Sequence, residues 1–107
     1  MTFYIKQNDT KPIISATLIN GDGSVANLTG ASVAFKMRKS GESSSTVDSS
    51  ATIASASTGE VTYSWIAANT QTVGSYEGEF QVTYADGGIQ TFPNSRYIEI
   101  EVVDDIA

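Results

Sequence analysis

Hydrophobic and polar residues alternate with a period of two along most of the chain, and no stretch carries a sustained helical stripe. Residues 2–6 read as a short strand rich in β-formers. Residues 13–19 read as a second, with Ile14, Ala16 and Leu18 on one face. Asn20-Gly21-Asp22-Gly23 is a turn, because Gly and Asn accept positive φ. Residues 32–39 then place Val33, Phe35 and Met37 inward, with Lys36 and Arg38 outward. Residues 40–50 are Ser-rich and weakly patterned, and are expected to form a flexible loop.

Residues 51–55 predict a weak strand, and residues 60–66 a stronger one with Val61, Tyr63 and Trp65 on one face. Residues 67–73 allow one helical turn at most. The longest strand is predicted over 74–84, with Tyr76, Phe80, Val82 and Tyr84 sharing one face and Gly78 between them. Glu77, Glu79, Gln81 and Thr83 share the other face. Asp86-Gly87 predicts a hairpin turn, since that pair readily takes the primed geometry a tight hairpin needs, and leads into residues 88–92. Pro93 ends that strand, since it has no amide donor. Residues 96–103 form the last strand, with Ile98, Ile100 and Val102 in and Glu99 and Glu101 out.

Short strands at this spacing predict an all-β fold: an antiparallel immunoglobulin-like β-sandwich of about seven to nine strands. One domain over residues 1–107 suits the length. Val33, Phe35, Val61, Trp65, Phe80, Val82, Ile98 and Ile100 should share one core, with Trp65 and Phe80 at its centre.

Composition narrows the function more than the fold. At 40% hydrophobic, the chain can build a core. It has neither Cys nor His, so disulfides, thiol catalysis and the commonest general base and zinc ligand are missing. A net charge of −6 repels phosphate backbones and anionic membranes, so neither nucleic acid nor a membrane is an expected partner. The N-terminus lacks the basic lead and apolar run of a signal peptide, so synthesis and retention in a cytoplasm are expected. The sequons Asn8-Asp9-Thr10 and Asn27-Leu28-Thr29 are therefore read as chance matches.

Each candidate for chemistry has a plainer explanation. Glu77 and Glu79 would lie about 7 Å apart on one strand face, whereas retaining glycosidases hold their carboxyls about 5–5.5 Å apart. A solvated strand face that resists edge pairing is the better account. Glu99, Glu101, Asp104 and Asp105 form an acidic run without a calcium-loop pattern. Asp22 and Asp86 sit beside glycines, where turn chemistry explains them. Tyr63, Trp65, Tyr76 and Tyr84 could stack on a sugar, but their spacing points them inward. Tyr4 and Tyr97 are less constrained and suit a protein contact. No Gly-x-Ser-x-Gly elbow or phosphate-binding Gly loop occurs. The expected sets of catalytic, cofactor-binding and metal residues are therefore empty.

Several blocks, taken in order, resemble a known family. They are Phe3-x-Ile5 with Asp9-Thr10-x-Pro12; Leu18 with the Asp22-Gly23 turn; and Asn27-Leu28-Thr29-Gly30-Ala31-Ser32-Val33 through Phe35 and Met37-Arg38. Gly59-x-Val61-x-Tyr63-x-Trp65 follows, then Gly74-x-Tyr76-x-x-Glu79-Phe80-x-Val82 with Asp86-Gly87 and Thr91-Phe92-Pro93. This series is similar to the N-terminal domain of the tailed-phage baseplate upper protein family. The resemblance implies an immunoglobulin-like sandwich that anchors an appendage to a phage tail or baseplate, without a cofactor.

In that family the protein continues into a linker and a distal part that carries receptor-binding subunits, whereas this sequence ends at Asp104-Asp105-Ile106-Ala107. The expectation is a non-enzymatic virion protein, an adaptor or accessory subunit of tail, baseplate, neck or capsid. It would dock in several copies onto other virion proteins, through the strand at 2–6 or the one at 96–103. The rival expectations are a carbohydrate-binding module for a host cell surface and a glycosidase.

Overall fold

The computed structural model describes residues 2–106; Met1 and Ala107, the ends of the expected domain, lie outside the described residues. Among those described there are nine strands: β1 (Thr2–Lys6), β2 (Ile14–Thr17), β3 (Ser32–Lys39), β4 (Ser45–Ser50), β5 (Thr52–Ser55), β6 (Glu60–Tyr63), β7 (Gly74–Thr83), β8 (Ile89–Phe92) and β9 (Ile98–Val103). One 3-10 turn spans Ala67–Thr70. The strands form a six-stranded sheet in the order β1-β9-β7-β3-β4, with β8 also on β7, and a three-stranded sheet β2-β6-β5. Their inner faces pack together as a sandwich.

Phe35 holds the centre. It pairs across the ladder with Phe80 at a ring distance of 5.0 Å and stacks on Tyr63 of the opposite sheet at 4.7 Å. Trp65 meets its edge at 5.5 Å. Trp65 and Phe80, expected at the centre, thus flank it. Every predicted core residue is buried except Ile98, which is half-buried against the cluster. Such ring contacts add to the burial of large apolar areas.

Local devices fix the ends of the sandwich. Tyr76 donates its hydroxyl to the Thr72 carbonyl at 2.6 Å, the tyrosine corner of immunoglobulin-like folds. Asn69 is buried below Tyr63; its Oδ1 accepts from the Tyr63 hydroxyl at 2.7 Å and from the Ile66 amide at 3.0 Å. Gly59 has φ +69°, and an added Cβ would lie 2.8 Å from the Ala26 carbonyl oxygen, so both conformation and space demand glycine.

Four expectations change. Residues 40–50 are not all loop, since Ser45–Ser50 forms β4. The strand is set by its partner: Val47 lies opposite Met37 and is the one residue of β4 that is buried. The sheets are not wholly antiparallel, because β1 runs parallel to β9. A parallel pair needs a long connection, and the whole chain between them supplies it. The last strand begins at Ile98, not residue 96. Phe92 lies opposite Phe80 and Ile98 opposite Gly78, so residues 93–97 loop out beside Glu79 and split one long strand into β8 and β9. Finally, β9 is covered by β1 and β7, so of the two terminal strands only β1 offers a sheet edge.

Candidate functional site

The strand alternation puts the polar side chains of β3 and β7 on the outer face of the larger sheet. There Arg38 lies opposite Glu77 in the ladder, and its Nε donates to Glu77 Oε1 at 2.9 Å. The Arg38 guanidinium also lies 5.1 Å from the Tyr97 ring centroid and donates to the Tyr97 hydroxyl at 3.2 Å. The hydrogen bond it donates to Glu77, then the charge interaction with Tyr97, hold the guanidinium above its usual pKa. Tyr97 is 46% exposed and belongs to the looped-out residues 93–97. Lys36, Ser43, Ser45 and Glu79 complete a shallow groove of about 250 Å³.

This groove is poorly suited to carboxylate catalysis. Glu77 is engaged by Arg38, whose Nε lies 2.9 Å from its Oε1. Nor does the pair guard a sheet edge, as expected, because β7 lies inside the sheet between β9 and β3. Mixed charges and a half-exposed tyrosine suit the rim of a protein contact.

The other candidates disperse. Glu99 accepts from the Thr2 hydroxyl at 3.1 Å, and Lys6 reaches the Asp104 carbonyl at 3.2 Å. Among the described residues no group of three or more acidic side chains is placed to hold a metal ion. Asp22 accepts from the amide and hydroxyl of Ser24, which keeps its carboxyl below the usual value; Asp86 accepts from the Gly88 amide. Tyr63, Trp65 and Tyr76 are buried and Tyr84 is half-buried, so they form no exposed aromatic platform. Tyr4, 64% exposed, stands on the outer face of β1. No helix among the described residues is long and apolar enough to cross a membrane.

A second surface is absent from the sequence-based expectations. Where the sheets part, Ala16, Thr17, Leu18 and Ile19 form one lip of a mainly apolar cleft of about 150 Å³. Phe80, Phe92, Pro93 and Ile98 form the other. Next to Ile19 in the chain, Asn20 ties the two sheets: Gln90 donates to it at 3.2 Å and accepts from the Tyr84 hydroxyl at 2.8 Å. The sequence carries one signal of this surface: residues 12–21 and 87–95 contain no charged side chain.

Comparison with known proteins adds one match. The model of the family described as BppU N-terminal domain matches residues 2–106. No curated protein matches the chain.

Proposed function

The chain belongs to the BppU N-terminal domain family, a phage baseplate upper protein family, and from that premise we propose a non-enzymatic virion subunit. In this proposal residues 1–107 act as one immunoglobulin-like domain that docks in several copies onto tail, baseplate, neck or capsid proteins. The family itself implies a phage baseplate structural protein. The observation that carries the finer reading is the extent of the match. Residues 2–106 span both sheets, so the unit shared with the family is the whole sandwich rather than a site upon it.

The surface supports contact rather than turnover. Its polar groove is internally neutralised by the Arg38–Glu77 pair, and its cleft is lined mainly by apolar side chains. Many copies on a symmetric particle would strengthen weak individual contacts through effective concentration.

The test is to mix the purified chain with phage particles assembled without it and to image the product. Density at a repeated, symmetric position is expected. Binding to purified cell-wall polysaccharide and to no particle component would replace this reading with carbohydrate recognition.

A further inference from the structure

We infer that the cleft between the sheets receives an extended, uncharged segment of a virion partner, which adds as a strand to the open edge of β2. This rests on the docking function proposed above and names the surface and the chemistry of what it binds.

The edges of the two sheets are not equivalent. β1 carries Lys6. β4 carries Asp48 and a register shift against β3, and β5 has a register shift against β6. Charges and bulges of this kind discourage strand addition. Among the described residues, β2 and β8 alone are edges with unbroken register and no charge, and they are the two lips of the cleft.

The backbone of β2 is set for addition. The Leu18 amide bonds the Gly59 carbonyl at 2.8 Å, which fixes the phase of the β2–β6 ladder. By the antiparallel alternation, Ile14 and Ala16 also turn their backbone groups toward β6, and Ser15 and Thr17 turn theirs outward. A strand laid against that edge gains main-chain hydrogen bonds and sends alternate side chains toward the sandwich. The cleft receives them: at about 150 Å³ it matches a cavity that holds a benzene-sized group.

The same geometry disfavours a second copy of this chain. Its own uncharged regular edges, β2 and β8, already commit Ile14, Leu18 and Phe92 to its core. Of the large apolar side chains at these edges, only Ile13, Ile19 and Ile89 stay exposed to offer a second copy. A segment whose side chains are not yet packed can offer the cleft more.

Two substitutions test the edge and the cleft, the first at a residue that belongs to both and the second at the lip alone. Thr17→Pro removes an outward amide, which an edge strand tolerates. Ile19→Asp puts a charge on the lip at a residue that is 50% exposed. The probe is phage particles assembled without this chain. Each variant should bind them about tenfold more weakly or worse, with an unchanged unfolding midpoint, as expected for loss of about one good contact. In the wild type, amide exchange over residues 14–19 should slow when particles are added. That measurement stands alone if a variant fails to fold.

If the wild type binds particles but exchange slows instead over residues 2–6 or 43–48, strand addition at β2 is wrong while docking survives. Equal binding by both folded variants has the same meaning. Concentration-dependent pairing of the wild type that Ile19→Asp abolishes would assign the seam to a second copy. Failure of the wild type to bind any particle component would remove the docking function itself, and this inference with it.

Discussion

Tyr76, Gly78, Phe80 and Val82 face inward along β7, while Glu77, Glu79 and Gln81 face outward from the same strand. Both sets share one backbone and the same ladders, with β3 on one side and β9 followed by β8 on the other. The inner set is fixed by volume. Phe80 is fully buried against Phe35, and Gly78 leaves room for the Phe35 ring and Ile100. The outer set is fixed by little more than charge: Glu77 takes Arg38, and the groove around it is open. Stability should therefore depend on one face, and surface recognition can change on the other without disturbing it.

The largest effect should come from emptying the inner face. Phe80→Ala is expected to cost about 3–5 kcal/mol, a large share of a small domain's stability. Chemical denaturation measures it, and a cost under about 1 kcal/mol would mean that the faces are exchanged. Filling the same face should cost less. A Cβ at Gly78 would sit 2.7 Å from Ile100 Cδ1 and 3.3 Å from the Phe35 ring. Gly78→Ala should therefore destabilise by about 1–3 kcal/mol, as overpacking does. An unchanged or raised midpoint would show that Ile100 swings aside without strain.

Alkali probes the core without mutation. Burial raises the phenol pKa of Tyr63 and Tyr76 above the ordinary 10.0. Their folded-state pKa exceeds the unfolded one, so their contribution is complete below pH 10.0. It is lost as pH rises through that value toward the folded-state pKa. A stability profile should fall in that window, and Tyr63→Phe should flatten part of the fall. The smallest effect belongs to the outer face. Glu77→Gln should leave the midpoint within the range of ordinary surface substitutions, since exposed ion pairs contribute little. Polysaccharide cleavage by the wild type that vanishes in Glu77→Gln would overturn the contrast between the faces.

The alternation made most of the inner face legible in the sequence. Val33, Phe35, Val61, Phe80, Val82 and Ile100 needed only the period of two. What escaped was set by distant partners. Residues 45–50 have one inward apolar side chain, Val47, and become a strand through the register of β3. Pro93 marks the start of the loop-out at 93–97, but its end is hidden locally, because Tyr97 and Ile98 continue a plausible strand pattern that only the β7 register interrupts. The polar groove was half visible: Arg38 and Glu77 were read as outward, but Tyr97 arrives from the loop-out. The cleft left only the charge-free runs at 12–21 and 87–95 as a trace. Leu18 and Phe92 look like ordinary core residues until the topology leaves β2 and β8 as neighbouring open edges.

The parallel pairing of β1 with β9 also governs how the fold meets mechanical load. Thr2 lies beside Glu99 and Lys6 beside Val103, so the start of β1 and the end of β9 point to opposite ends of the sheet. Tension applied through the two chain ends therefore pulls these strands lengthwise past each other. Their hydrogen bonds are strained together rather than peeled open in turn. Forced unfolding is governed by the unfolding rate rather than by equilibrium stability. This shear-loaded ladder is thus the element that a pull along the chain must rupture first, before the aromatic core is exposed.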